Sequence, residues 1–164
     1  YGACIPFLRP KELSDDYAND KDVRNHFIEW MNDNQISHDI LCYLYATAPF
    51  ITVDTLINCQ SLLVSSTATA SLTVTKFSYP VLRSLKKNVD GNLEYMWKEY
   101  ENSRSQDLPE LMHDAAQCYF YDLHRYNDPE VRIGYEIPRI FSLDIDTVDD
   151  FDIAHKMFSI VNNK

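Results

Sequence analysis

The sequence predicts an α/β domain. Three observations carry that prediction: a continuously apolar run at 40–45, an amphipathic helical stripe at 53–63, and a β-branched run at 72–77. Strand, helix, strand, with a last helix to close, is the alternation that lays helices over a sheet. Ligands on such sheets collect beyond the carboxyl ends of the strands, so the residues just after each strand are the ones to inspect.

Taken in order, residues 5–10 are apolar and interrupted by Pro6 and Pro10, which reads as extended or loop chain. From Asp20 the pattern is helical. Val23, Phe27, Trp30 and Met31 recur at the spacing of one buried face, and Asp20 and Asp22 suit the positive end of the helix. The run 40–45 reads as a strand covered on both faces, as in a parallel sheet. Pro49 ends it, Thr52 is a helix N-cap, and Val53, Leu56, Ile57, Gln60 and Leu63 follow at helical spacing. After the strand at 72–77, Asn88-Val89-Asp90-Gly91-Asn92 makes a turn into one arm of a hairpin at 93–97. Residues 115–120 and 133–137 are further strand candidates, with a turn at Asn127-Asp128-Pro129 between them. The chain closes with a helix at 147–161, where Thr147 and Asp150 stand in capping-box relation and Val148, Phe151, His155 and Phe158 form a stripe.

A length of 164 residues suits one domain with a sizeable core and is too short to argue for two. With 13% aromatic residues and only 3 glycines, neither disorder nor a repetitive or linker-rich chain is expected. The 25 acidic residues against 15 basic ones give a formal charge of −10, a field that repels nucleic-acid backbones and anionic membranes. It still allows a small anionic ligand held by local arginines or by a divalent cation. No stretch has the length of a transmembrane helix and no signal-peptide pattern opens the chain, so the cytoplasm is expected. Cys4, Cys42, Cys59 and Cys118 are scattered without a C-x-x-C pair, which disfavours structural zinc; Cys42 and Cys59 lie in apolar stretches and are expected to be buried thiols.

Asp144-Ile145-Asp146 is the leading chemical constellation. In extended chain the two carboxylates point the same way about 7 Å apart, with Ile145 turned inward, and together they can grip one divalent cation. The competing reading is that both acids only complement the N-terminus of the following helix. Arg104-Ser105-Gln106-Asp107 supplies a planar guanidinium suited to carboxylate or phosphate, or else is a solvated loop with a helix start. His113-Asp114 is not a hydrolase pair, because adjacent residues rarely face each other and no nucleophile accompanies them. Tyr45-Ala46-Thr47-Ala48-Pro49 ends a strand with small residues that let a ligand approach the backbone, or simply turns the chain. Arg83 lies just past another strand. No glycine-rich phosphate loop is present.

In order, these segments resemble the acylneuraminate cytidylyltransferase family, its pseudaminic acid branch above all. The carrying residues are Pro6-Phe7-Leu8-Arg9-Pro10-x-Glu12-Leu13-Ser14-Asp15-Asp16, Leu44-Tyr45-Ala46-Thr47-Ala48-Pro49-Phe50, Thr75-Lys76-Phe77-Ser78-Tyr79-Pro80, Arg104-Ser105-Gln106-Asp107-Leu108-Pro109, His113-Asp114-Ala115-Ala116-Gln117 and Asp144-Ile145-Asp146-Thr147. The resemblance implies a Rossmann-like nucleotide-sugar-transferase fold, three-layered with a mostly parallel sheet. It implies transfer of CMP from CTP to the anomeric hydroxyl of a nine-carbon α-keto acid sugar, with Mg²⁺ neutralising phosphate charge. By the same resemblance Asp144 and Asp146 are the catalytic metal-binding acids, while Arg9, Thr47 and Ala48 line the nucleotide. Tyr45, Arg104, Gln106, His113, Asp114 and Gln117 face the sugar. Arg83 is added from position and chemistry as a partner for the sugar carboxylate. Tyr45 where sialic-acid members commonly carry glutamine, with His113-Asp114, favours pseudaminic acid over sialic or legionaminic acid.

One departure bears on activity. The family opens with a strand and a basic loop around the triphosphate, and Tyr1 enters after that element, so the expectation is one partial domain over 1–164. A truncated, non-catalytic sugar-binding or assembly module is the alternative. A homodimer is expected, with a dimerisation arm around 88–110.

Overall fold

The computed structural model describes residues 2–15 and 17–162, so Asp16 of the first motif lies outside the described residues, as does Tyr1. By backbone contacts the chain divides into two units, Tyr1–Asp39 and Ile40–Lys164.

In the first unit, helix α1 (Asp20–Asp33) begins where Asn19 caps it: the Asn19 Oδ1 accepts the Asp22 N–H at 3.0 Å. The apolar stripe does what its spacing predicts. Met31 is buried, and Phe27 and Trp30 stack at 6.0 Å under Phe7, which also meets His26 edge-on at 5.0 Å. The helix ends in a Schellman arrangement, with Gln35 N–H on Asn32 O, Ile36 N–H on Met31 O, and Gln35 at φ 56°.

The second unit is an α/β structure built on a four-stranded sheet in the order β1-β5-β2-β6. Its strands are β1 (Ile40–Leu44), β2 (Ala70–Lys76), β5 (Met112–Asp122) and β6 (Arg132–Glu136). β5 is antiparallel to β1 and to β2, and β2 is parallel to β6. Three of the four strands therefore run one way, with β5 opposed between two of them. Helix α2 (Val53–Val64), capped by Thr52 through the Thr55 N–H at 3.1 Å, crosses from β1 to β2 over one face. Cys59 and Leu63 of α2 pack there with Ala68, Cys118 and Phe120, flanked by Ile40, Ile51, Leu56, Ile133 and Tyr135. Full burial of Leu63 or Phe120 is worth about 1.5–3 kcal/mol each.

Two sequence expectations are corrected. β1 is an edge strand among the described residues rather than one covered on both faces, and Cys42 and Leu44 are exposed on it. Cys42 is thus not a buried thiol, whereas Cys59 is. An apolar run of six residues cannot by itself show whether both faces of a strand will be covered, because that depends on what the rest of the chain stacks on it.

The predicted turn at 88–92 joins β3 (Leu85–Lys87) to β4 (Leu93–Tyr95). Asn88 Oδ1 accepts the N–H groups of Asp90 and Asn92, and Gly91 takes the φ of 85° that the turn needs. Helix α3 (Val148–Asn162) starts with the expected reciprocal cap: Thr147 Oγ1 accepts the Asp150 N–H, and Asp150 Oδ2 accepts the Thr147 N–H at 2.9 Å. Among the described residues no helix is long and apolar enough to cross a membrane.

Candidate functional site at the carboxyl ends of the strands

β1, β2 and β6 all end on one side of the sheet, and because β5 is opposed, its first residues lie on that side too. The register makes this concrete: Leu44 faces Cys118, and Lys76 faces Met112. Four segments meet there, namely the turn after β1, the start of β5, the end of β2 and the irregular loop at 143–146.

The start of β5 is not a regular strand. Leu72 lies opposite Tyr119 and Val74 opposite Asp114, so β5 uses five residues where β2 uses two. The excess is a bulge around Ala116, which takes the left-handed conformation at φ 50°. Asp114 builds it: Oδ1 accepts the Ala116 N–H at 2.9 Å, an Asx-turn, and Oδ2 accepts the Tyr119 hydroxyl at 2.9 Å. Burial, together with the Asp114 carboxylate that the hydroxyl serves, holds Tyr119 well above the usual phenol range, so it stays a donor. Tyr119 packs on Tyr45 at 5.3 Å and Tyr43 at 6.3 Å, an aromatic face on the side of the sheet away from α2. His113 does not engage the Asp114 carboxylate. Its Nδ1 lies 2.7 Å from the Asp114 carbonyl oxygen, which can only accept, so Nδ1 carries the proton; its ring stands 4.7 Å from Phe77.

Gln117 follows the bulge and is fully buried. Its Nε2 donates to Ala115 O at 3.2 Å and to Leu143 O at 3.1 Å. Its backbone carbonyl accepts the Tyr45 N–H at 3.2 Å. The loop is anchored a second time where the Ile145 N–H donates to Thr47 O at 3.1 Å. Tyr45, Thr47, buried Ala48, Asp114, Gln117, Asp144 and Asp146 therefore belong to one hydrogen-bonded neighbourhood.

Asp144 and Asp146 are not equivalent. Asp146 is exposed, whereas Asp144 is half-buried and its Oδ1 is buried with no hydrogen-bond partner. A buried carboxylate oxygen without a donor is what cation ligation satisfies, so these residues fit a metal ion. Among the described residues no group of three or more His, Cys, Asp or Glu side chains is arranged to hold one. Asp144 and Asp146 are two carboxylates that could hold a hard cation whose remaining positions phosphate oxygens and water would fill. Behind the loop a cleft of about 450 Å³ opens between α3 and Arg139, Ile140 and Leu143.

Among the described residues, Arg104, Gln106 and Arg83 make no hydrogen bond to this neighbourhood. Arg104 makes a two-pronged pair with Asp107 in its own turn, Nε–Oδ2 at 2.7 Å and Nη2–Oδ1 at 3.2 Å, and Gln106 is exposed in that turn (Ser105–Asp107). Arg83, in the turn Val81–Arg83 after β2, is half-buried and its Nε is buried with no hydrogen-bond partner. Arg9 belongs to the first unit, where its Nη1 donates to Leu13 O at 3.4 Å. Sequence reasoning missed Tyr119 and the left-handed Ala116. The available signal was a tyrosine in an apolar strand, since its hydroxyl needs a polar partner.

No family model matches the chain. It is 33% identical over 98% of its length to the pseudaminic acid cytidylyltransferase of Campylobacter jejuni subsp. jejuni serotype O:2, covering 71% of that protein. The protein of the same name from serotype O:23/36 is 32% identical with the same coverage. A Helicobacter pylori protein, named pseudaminic acid cytidylyltransferase and UDP-2,4-diacetamido-2,4,6-trideoxy-beta-L-altropyranose hydrolase, is 30% identical over 94% of this chain and 29% of its own. Among solved structures, the 4-diphosphocytidyl-2C-methyl-D-erythritol synthase of Anaerococcus prevotii overlaps 85% of this chain and 77% of its own with a TM-score of 0.48 and 10% identity, too distant to assign a role to any residue.

Proposed function

Because the chain belongs to the pseudaminic acid cytidylyltransferase family, we propose that it transfers CMP from CTP to the anomeric hydroxyl of pseudaminic acid. The anomeric hydroxyl releases its proton to solvent as its oxygen bonds to the α-phosphorus, the bond from that phosphorus to the bridging oxygen breaks, and pyrophosphate leaves with the electron pair. The observation that carries the reading to this site is the buried, unpartnered carboxylate oxygen of Asp144, in a loop hydrogen-bonded to the turn after β1.

Asp144 and Asp146 would hold Mg²⁺, which when bound offsets the negative charge of the phosphates. Thr47 and Ala48 offer the nucleotide a turn of small side chains beside those acids. Tyr45 presents its ring on the aromatic face shared with Tyr119 and is assigned to the sugar, with His113 and Asp114 beside it. Arg83, whose Nε has no hydrogen-bond partner, is assigned to the sugar carboxylate, and Arg104 and Gln106 to the sugar. Arg9 is assigned to the nucleotide. Exposed Leu85, Val89, Leu93 and Met96 on the β3–β4 hairpin support a homodimerisation arm.

The test follows CMP-sugar and pyrophosphate by phosphorus NMR with CTP and pseudaminic acid as substrates. Asp144→Asn and Asp146→Asn are each expected to lower kcat/KM by about 100-fold or more, on the order of 3 kcal/mol of transition-state stabilisation. Unchanged turnover of both variants at saturating Mg²⁺ refutes the assignment. Equal kcat/KM for sialic acid refutes the choice of sugar.

A further inference from the structure

We propose that Gln117 is the positioning residue of the candidate metal site, tying the β5 bulge to the loop that carries Asp144 and Asp146. The proposal rests on the reading of those two acids as metal ligands.

The geometry is a closed circuit. The Gln117 amide spends both of its N–H donors on carbonyls from separate segments, Ala115 O within the bulge and Leu143 O immediately before Asp144. Its main-chain carbonyl holds the Tyr45 N–H, and two residues further along the β1 turn, Thr47 O holds the Ile145 N–H. The loop is therefore fastened on both sides of Asp144, once by a side chain and once by backbone. Nothing else among the hydrogen bonds of the described residues reaches the Leu143 carbonyl.

Packing alone does not call for glutamine at this position. Gln117 is 0% exposed, and its Oε1 is buried without a partner, which is unfavourable. A methionine of similar length would fill the same space and leave no amide oxygen unpaired. What methionine cannot do is donate two hydrogen bonds. The bulge explains how a polar side chain reaches this interior position: the left-handed Ala116, held by the Asp114 carboxylate, breaks the alternation of β5. Asp114 and Tyr119 thus act on the metal loop through Gln117.

Fixing ligands before the cation arrives removes part of the ordering cost of binding, and loss of such outer support typically weakens metal affinity about 10–100-fold. The probe is Mn²⁺, titrated by its paramagnetic resonance signal in the absence of substrates, with Asp144→Asn as the reference. Asp144→Asn is expected to abolish specific Mn²⁺ binding. Gln117→Met is expected to weaken it about 10–100-fold and to speed amide hydrogen exchange at Ile145 selectively, leaving Phe120 in the core protected. Gln117→Asn keeps the amide but shortens its reach by one methylene, and it carries the same test should the methionine variant fail to fold. An unchanged Mn²⁺ midpoint in a folded Gln117 variant, with Asp144→Asn inactive in binding, overturns the proposal and leaves the metal reading standing. Mn²⁺ binding unaffected by Asp144→Asn, or absent from the unsubstituted protein, overturns both. Exchange that rises equally at Ile145 and Phe120 assigns Gln117 a general structural role and also overturns the proposal.

Discussion

Gly134 lies on β6 beside β2. It pairs with Leu72, and a Cβ added there would stand 2.8 Å from Val74 Cγ2 and 3.1 Å from Cγ1. Carbon atoms in favourable contact lie about 3.5–4.0 Å apart, so both approaches are repulsive. Val74 cannot simply turn away, because a β-branched side chain is stiff about χ1 and its backbone carbonyl is held by the Ile137 N–H at 2.8 Å. Overpacking of this kind costs about 1–3 kcal/mol. Replacing glycine also restricts the unfolded chain, which returns about 0.4–1 kcal/mol. Gly134→Ala should therefore lose about 1–2 kcal/mol. At about 2–4 °C per kcal/mol for a chain of this size, the thermal midpoint should fall by about 2–8 °C. Circular dichroism melting measures it. Val74→Ala removes both methyl groups involved, so the double variant should lose less than the two single losses added together, by about 1 kcal/mol. Strict additivity, or a midpoint unchanged by Gly134→Ala alone, refutes the contact and with it the close β2–β6 approach beneath the site.

Other substitutions test other links. Ala116→Gly should be neutral or stabilising by up to about 1 kcal/mol, because glycine adopts the left-handed conformation without penalty, whereas Ala116→Val should cost about 2 kcal/mol; equal midpoints for the two would contradict the bulge. The Arg125 guanidinium bonds Asp122 at 2.8 Å and the carbonyls of Thr67 and Ala68, clamping the α2–β2 connection. Arg125→Met is expected to lose about 2 kcal/mol, moderated by partial exposure of the pair, and a loss no larger than that of an ordinary surface substitution would show the clamp to be idle. Bonds from Thr147 hold Asp150 below the usual carboxylate range. A depressed folded-state pKa means that the unfolded chain binds the proton more readily. The cap therefore contributes fully above about pH 4 and is lost as pH falls through the lower folded value. Exchange of the first α3 amides should rise below about pH 4 and lose that dependence in Asp150→Asn; identical profiles for the two proteins would remove the cap from the account.

Much of this architecture was legible in one dimension. Thr52 and Thr147 announce helix starts because a side-chain oxygen must serve amides that no helix can satisfy internally, and that need is local. The spacing of Val23, Phe27, Trp30 and Met31 likewise predicts a buried face from helix geometry alone. Of the stripe at 53–63, Leu63 is buried but Val53 and Ile57 are exposed, because which side of α2 meets the sheet is set by the packing of distant segments. The hairpin turn at 88–92 follows from the residue types that tolerate its backbone. That β5 would insert between β1 and β2 was not legible, because it depends on a segment some seventy residues later in the chain.

The same division holds for the Asp144 and Asp146 pair. The sequence by itself determined an acidic α/β chain with two carboxylates two residues apart near a helix start, and ordered motifs that resemble a cytidylyltransferase. It could not choose between a metal site and mere complement to a helix dipole, since both need only negative charge at that place. Tertiary structure separated the two acids. It buries one oxygen of Asp144 without a donor, leaves Asp146 exposed, and fastens their loop to Thr47 and to the fully buried Gln117. Burial and hydrogen-bond partners belong to contacts between distant segments, and only the folded chain brings Gln117 and Leu143 within 3.1 Å.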